Sequence, residues 1–254
     1  MGTIIAIVNQ KGGVAKTTTA INLSACLGKL GKRVLLVDLD PQGNATTGFG
    51  VAKRELELTT YEILMGDARP SEAVLRTKFD NVDLIPSTHN LAEAEIRLPL
   101  FENKTLRLRK ALVQIKDDYD VVIIDCLPSL GVLALNGISA ADSIIIPMQC
   151  EPYSLEGVAE LFTTVKRVKS STNKYLRVMG IIFTMLDKRL MVSRDVMENI
   201  RDKFPEDMVF KTEIPRNVRI SEAPGFGEPI IYFDPSSKGA AAYMKLAKEV
   251  AEKL

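Results

Sequence analysis

Two lysines, Lys11 and Lys16, bracket Gly12-Gly13-Val14-Ala15 and stand just ahead of the hydroxyl row Thr17-Thr18-Thr19. Glycines let backbone N–H groups turn toward an anion, and a helix starting at such a point adds its partial positive charge. The residue types are those of a phosphate-binding loop. In that chemistry Lys16 reaches the β- and γ-phosphates of a nucleotide and the Thr17 hydroxyl sits on Mg²⁺. The common spacing G-x-x-x-x-G-K-[ST] is nevertheless broken, because Gln10 and Ala15 occupy its two glycine positions. The competing reading is a glycine-rich turn with exposed lysines, and the strand-like and helical patterns on either side argue against it.

Carboxylates supply the second half of the candidate chemistry. Asp38 and Asp40 end the apolar run Val34-Leu35-Leu36-Val37, and Asp125 ends Val121-Val122-Ile123-Ile124. Four apolar residues followed by Asp is the form of a strand whose carboxylate supports Mg²⁺ beside a phosphate loop. Many strands end in Asp, so the weight comes from the pairing with residues 11–17. The single histidine, His89, lies in a polar Ser-Thr-His-Asn turn without partners for catalysis or metal binding. Cys26, Cys126 and Cys150 are odd in number and far apart, which fits neither a disulfide framework nor a zinc site. Packing is the expected role of all three, as reduced thiols.

The elements that would position these groups follow from periodicity. Thr3 to Val8 reads as the first strand, and a helix follows through Leu30 to a stop at Gly31. The runs at 34–40, 119–126, 143–147 and 178–183 are continuously apolar, as in parallel strands covered on both faces. Val82 to Pro86 is a shorter strand. Pro41 to Asn44 reads as a turn that the small residues to Gly50 continue, and residues 59 to 78 read as helical pieces broken at Gly66 and Pro70. Helical spacing recurs over Leu91 to Leu98 and Thr105 to Ile115. A helix from residue 188, with Ser193 as a plausible N-cap, ends at Phe204-Pro205. Ile214 to Gly227 reads as an ordered loop. Ser237 to Leu254 is an amphipathic helix with Ala241, Met244, Leu246, Ala247, Val250 and Ala251 on its core side. Strand–helix alternation predicts an α/β fold: a single-domain, doubly wound, mostly parallel sheet of the P-loop NTPase type, spanning residues 1–254, with ligands at the carboxyl ends of the strands.

Composition narrows the class of partner. The chain of 254 residues carries 33 basic and 32 acidic residues, a net charge of +1, so no bulk charge advertises nucleic acid or membrane. The stretch from Lys166 to Arg219 is locally basic, with 13 Lys/Arg against 7 Asp/Glu. Such a stretch can bind a polyanion without a basic total, although a solvated helix face has the same composition. Met1-Gly2 resembles a myristoylation signal, but Ala6 stands where Ser or Thr is needed. With no charged leader and no long apolar span, a cytoplasmic protein without stable membrane association is expected.

Taken together, Lys11 to Thr19, Val37-Asp38-Leu39-Asp40-Pro41-Gln42-Gly43-Asn44, Ile124-Asp125-Cys126-Leu127-Pro128-Ser129, Ile214-Pro215-Arg216-Asn217 and Ser221-Glu222-Ala223-Pro224 resemble the ParA/Soj chromosome- and plasmid-partitioning ATPases. That family belongs to the deviant-Walker-A class, with the MinD division-site proteins and the nitrogenase iron protein. The resemblance runs from about residue 3 to the C-terminus and is nearest to the chromosomal Soj type. It implies ATP and Mg²⁺ as cofactors and a homodimer when ATP is bound. It also implies slow, partner-stimulated hydrolysis, non-specific DNA binding on the nucleoid and a ParB-type protein partner.

Residue by residue, the resemblance implies that Gly12, Gly13, Val14, Ala15, Lys16, Thr17 and Thr18 wrap the nucleotide phosphates. Lys11 would cross the dimer interface to the partner's phosphates, as an arginine finger does. Asp40 would orient the attacking water, making Lys11, Lys16 and Asp40 the catalytic set. Thr17 would bind Mg²⁺ directly, with Asp38 and Asp125 supporting the metal and its waters. Pro215 and Asn217 correspond to adenine contacts, and Phe183-Thr184-Met185 is assigned to the other side of the base. Lys188, Arg189, Arg194, Lys211, Arg216 and Arg219 are candidate DNA-phosphate contacts near the local positive excess.

Two positions depart from the family's usual form: Ala15 replaces a glycine, and Leu127 a proline. If residue 15 needs a positive φ, alanine costs on the order of 1 kcal/mol there; if φ is negative, the change is neutral. Two other functions compete. A MinD-like membrane-surface ATPase would need an extra amphipathic tail that Ala247 to Leu254 does not resemble. An iron–sulfur reductase would need cluster thiolates, for which only Cys126 and Cys150 are available, Cys126 being poorly placed directly after Asp125.

Overall fold

The computed structural model describes residues 2–152 and 154–254. Eight strands form one sheet in the order β3-β4-β2-β5-β1-β6-β7-β8. They are β1 (Thr3–Ile7), β2 (Val34–Leu39), β3 (Leu75–Arg76), β4 (Val82–Ile85), β5 (Val121–Cys126), β6 (Ser143–Gln149), β7 (Arg177–Leu186) and β8 (Val209–Pro215). Every neighbouring pair is parallel except β3 with β4. The chain enters at the centre, so β1 lies between β5 and β6, and β5 also pairs with β2.

The unbroken apolar runs are explained by cover on both faces. Ile4, Ala6, Leu35, Val37, Val122 and Ile124 enter one hydrophobic cluster, while their alternates Ile5, Ile7, Val34, Leu36, Val121 and Ile123 enter the other. Period-2 alternation is therefore present in direction but invisible in polarity. The first cluster is closed by α3 (Thr60–Met65), α4 (Leu91–Arg97), α5 (Arg107–Leu112), α6 (Val132–Ala140), α7 (Ser154–Ser171) and α8 (Met191–Lys203). The second is closed by α1 (Lys16–Lys29), α2 (Asn44–Gly48), α9 (Val218–Glu222), α10 (Ile230–Phe233) and α11 (Lys238–Ala251). Each fully buried aliphatic side chain in these clusters contributes about 1.5–3 kcal/mol by transfer from water, which is what fixes the strand register.

Several local expectations need correction. The small residues after Pro41 form the short helix α2 rather than an extended turn, and Leu75–Arg76 adds a strand. Both are too short to show a period. The stretch expected as one loop, 214–227, contains the end of β8, then α9, then a 3₁₀ turn over Ala223–Phe226. Ser193 is not the N-cap of α8; the helix starts at Met191, with Leu190 ahead of it, and Ser193 is buried in the first turn. In α11 the buried side is Ala240, Tyr243, Leu246, Ala247 and Val250, and Ala241 faces outward. Ser237 caps that helix by accepting the Ala240 N–H at 3.1 Å. The core side of α11 packs on α1 and β8, so its apolar stripe is already covered.

Candidate functional site

The loop between β1 and α1 stands at the carboxyl end of the central strand. Its backbone is set by two left-handed residues, Gly13 at φ 75° and Ala15 at φ 66°. At Gly12 and Gly13 an added Cβ would meet nothing within 4 Å, so the loop faces open space rather than protein. Ala15 sits at the N-cap of α1 and offers no side-chain acceptor to the first helical turn. The N–H groups of that turn are thus left to an external anion. Val14 is buried, and its carbonyl accepts from the Thr184 hydroxyl at 3.0 Å; the same hydroxyl lies 3.1 Å from the Met148 carbonyl. Thr184 therefore ties the loop to β6 and β7, a role with no sequence signal.

Lys16 is the buried cation of the site, 6% exposed. Its Nζ donates to the Lys11 carbonyl at 2.9 Å, which curls the loop around the ammonium group. Burial lowers its pKa, and the charges of Asp125, Cys126 and Asp40 oppose that shift. Lys11 is placed differently. Its ammonium lies on the surface and pairs with Glu151 at 2.7 Å, leaving only its backbone beside Lys16. Asn9 holds the loop entrance by accepting the Lys11 N–H at 3.0 Å and donating to the Pro147 carbonyl at 2.8 Å.

Asp38 and Asp125 are register partners on adjacent strands, and both are fully buried. The Asp38 carboxylate is well supplied: Thr46 donates both its N–H (2.8 Å) and its hydroxyl (2.7 Å), and the Asp40 N–H adds a third bond at 3.2 Å. Burial still raises its pKa to about 6. Asp125 differs, because neither carboxylate oxygen has a hydrogen-bond partner among the described residues. Burial first, then the charge of Asp38, holds its pKa well above the usual carboxylate range, and the nearby Thr17 hydroxyl only partly offsets this. A buried carboxylate without donors is costly unless a cation completes it. A small hard dication beside Thr17 fits that vacancy of partners. Among the described residues no three Asp, Glu, His or Cys side chains converge closely enough to hold an ion by themselves. An ion here would complete its shell with phosphate oxygens and water, the usual habit of Mg²⁺.

The loop faces a cleft of about 580 Å³ whose lining includes Ala15, Lys16, Thr17, Asp40, Pro128 and Met185, with Asp38 and Asp125 buried outside that lining. Gly13 and Thr18 also line it, whereas Lys11, Gly12 and the buried Val14 of the same predicted loop do not. Asp40 is 7% exposed and uses Oδ1 to accept the Gln42 N–H at 2.9 Å. Met185 reaches the cleft through a left-handed backbone at φ 50°. Phe183 and Thr184 do not reach it: both are fully buried, because the strand still runs through the core there. Pro215 and Asn217 are outside the lining. Pro215 pairs with Leu186 at the end of β8 and lines a neighbouring groove of about 610 Å³, and Asn217 caps α9 by accepting the Ile220 N–H at 3.4 Å. Leu127 lines the cleft and packs its side chain against the first hydrophobic cluster.

The six basic candidates are not equally free. Lys188 pairs with Glu213 at 2.5 Å, Arg189 with Asp187 at 2.6 Å, and Arg219 with both Glu222 (2.7 Å) and Asp234 (3.0 Å). Arg194 donates to the Lys188 carbonyl at 2.8 Å. Arg194, Lys211 and Arg216 form no ion pair among the described residues. The three cysteines are buried free thiols. Burial pushes Cys150 up to about 12, and the Cys126 sulfur is packed so closely under α6 that a Cβ on Gly137 would lie 2.6 Å from it. Neither is presented to a cluster. Among the described residues no helix is long and apolar enough to cross a membrane.

A strand–loop–helix at the sheet centre, a buried lysine facing the cleft and a buried carboxylate on the adjoining strand define a P-loop ATPase. A family model described as an AAA domain matches residues 2–178. The sporulation initiation inhibitor protein Soj of Bacillus subtilis is 52% identical over 251 residues, covering 99% of this chain and 99% of its own length. The chromosome partitioning protein ParA of Caulobacter vibrioides is 45% identical over 249 residues, covering 97% and 93%. Among solved structures, a cobyrinic acid a,c-diamide synthase from Mycobacterium smegmatis with bound ADP and magnesium is similar at TM-score 0.87 and 40% identity. It covers 99% of this chain and 95% of that one. The chain belongs to the ParA/Soj family of chromosome-partitioning ATPases.

Proposed function

We propose that residues 1–254 act as one ATP-driven dimerisation switch that binds DNA without sequence preference, in the cytoplasm and on the nucleoid, with a ParB-type partner. The observation that carries the reading is the convergence on one cleft of a buried Lys16 and an uncapped helix N-terminus, beside the donor-free Asp125. Lys16 and the N–H groups from Gly12 to Thr18 would bind the phosphates of MgATP. Thr17 would hold Mg²⁺ directly, and Asp125 and Asp38 would hold its waters. When bound, the ion neutralises charge on the phosphate oxygens. Asp40, with one oxygen fixed by the Gln42 N–H, would aim the other at the attacking water. Met185 would close one side of the base. Pro215, register partner of the residue after Met185, and Asn217 would stand on the other.

Lys11 gives the switch its dependence on a second subunit. Its ammonium is held away from Lys16 by Glu151, in an exposed pair whose release costs roughly 0–1 kcal/mol. It would be free to turn to the partner's phosphates, so that the dimer forms on ATP and separates after hydrolysis. Dimerisation would then double the patch of Lys188, Arg189, Arg194, Lys211, Arg216 and Arg219 and raise DNA affinity by avidity. Hydrolysis is slow until the ParB-type partner engages. The reading is tested by turnover of MgATP with and without DNA and partner. Asp40→Ala should abolish hydrolysis while retaining nucleotide binding; undiminished turnover would remove Asp40 from its role. Sedimentation with liposomes, expected to be negative, separates this reading from a MinD-like one.

A further inference from the structure

Asp40 can aim a water only if its own peptide is immobile, and it follows the last residue of β2, where strand hydrogen bonding has ended. The structure closes a ring around it. The Asp40 N–H donates to Asp38 Oδ1 at 3.2 Å, and Asp38 Oδ2 accepts the Thr46 hydroxyl at 2.7 Å. That hydroxyl in turn accepts the Ser87 N–H at 2.9 Å, and the Ser87 hydroxyl donates to the Asp40 carbonyl at 2.8 Å. The Asp40 peptide is thereby gripped on both its N–H and its C=O sides. Three separate segments contribute: the end of β2, the first turn of α2 and the residue just past Pro86 behind β4. Asp38, Thr46 and Ser87 are fully buried. A hydroxyl has one donor and two acceptor sites, so Thr46 can serve Asp38 and Ser87 at once without competition.

We infer that Thr46 and Ser87 are positioning residues for hydrolysis, acting through the Asp40 peptide rather than on nucleotide or metal. The inference rests on the reading of Asp40 as the water-orienting residue. Thr46→Val keeps shape and volume and the N–H bond to Asp38, but removes the hydroxyl that donates to Asp38 and accepts from Ser87. Ser87→Ala removes the bond to the Asp40 carbonyl, together with a long 3.4 Å contact to the Thr88 carbonyl, and leaves the Ser87 N–H on Thr46. Loosening a reacting geometry by about 1 Å costs on the order of 100-fold in rate.

The test is single-turnover hydrolysis of MgATP alongside equilibrium MgATP affinity and thermal melting. For Thr46→Val and Ser87→Ala we expect the rate to fall roughly 10- to 100-fold with affinity within about 2-fold of wild type. Thr46→Ser should restore most of the rate. Thr47→Val, at an exposed residue whose hydroxyl bonds only the carbonyl of Gly43 just ahead of α2, should change neither. In an Asp40→Asn background, Thr46→Val should cause no further loss of rate, because its effect passes through Asp40. Wild-type rates in both variants, or rate and affinity falling together, would overturn the inference; Ser87→Ala decides the matter if Thr46→Val does not fold. Asp40→Asn turning over like wild type would instead overturn the reading of Asp40 itself, and the two failures are told apart by that variant alone.

Discussion

Replacing Ala15 by glycine should stabilise the nucleotide-free protein, against the usual expectation for an alanine at a helix start. Ala15 has φ 66° and ψ 35°, a left-handed conformation in which the Cβ of an L-residue crowds its own peptide. That geometry costs about 1–2 kcal/mol for alanine and essentially nothing for glycine. Glycine gives back roughly 0.5–1 kcal/mol through its greater freedom in the unfolded chain, so the net gain is about 0.5–1 kcal/mol. At this chain length a gain of 1 kcal/mol corresponds to a rise of about 2–4 °C in Tm, so Ala15→Gly should melt about 1–4 °C higher. Ala15→Val, whose branched side chain tolerates a positive φ still less, should melt lower than wild type. The assay is a thermal melt of the three proteins without nucleotide. A lower Tm for Ala15→Gly, or a valine variant as stable as wild type, would refute the argument that residue 15 stores strain.

Other expectations follow from the same geometry. Lys11→Ala should alter stability by less than about 1 kcal/mol, since its pair with Glu151 is exposed, yet should abolish the ATP-dependent dimer; denaturant unfolding and sizing together check this. Asp38 has its pKa raised by burial from 3.8 to about 6, so the unfolded chain loses that proton first as pH rises. The nucleotide-free protein should therefore lose stability between about pH 4 and pH 6, and Asp38→Asn should flatten the fall in a urea series; equal slopes would contradict it. DNA binding in ATP should weaken steeply with salt, and Lys211→Ala or Arg216→Ala, at two residues that form no ion pair among the described residues, should each reduce the slope of log affinity on log salt by about 1. A salt-independent signal would rule out a phosphate-contacting patch.

Much of this site was legible because its chemistry is local in sequence. Residues 11–18 are consecutive, and Asp38, Asp40 and Asp125 each end an apolar run, so strand position alone brings them to one end of the sheet. The continuous apolarity of β1, β2 and β5 likewise announced a sheet covered on both faces. What stayed hidden depends on contacts that no period encodes. Thr46, Ser87 and Thr184 reach Asp38, Asp40 and Val14 across turns and crossovers, and each is an ordinary polar residue in an ordinary loop or strand until the chain is folded. The short helices α2 and α9 escaped because five residues do not complete enough turns to show a hydrophobic face. Ala15 was readable only as a departure; its backbone conformation supplies the physical content, a methyl group where glycine would be unstrained. Phe183 was misplaced because β7 is still covered on both faces at that point, and only at Met185, where the backbone turns left-handed at φ 50°, does the strand bring a side chain to the cleft.

The most direct test of a shared, nucleotide-gated site is the solution mass of the 28.0 kDa chain without nucleotide, with ADP and with ATP, for wild type and Lys16→Ala. Asp40→Ala serves to hold the ATP state. A monomer is expected in every condition except ATP, where the mass doubles, and no doubling is expected in Lys16→Ala. A mass independent of nucleotide, or a dimer that survives Lys16→Ala, would contradict it.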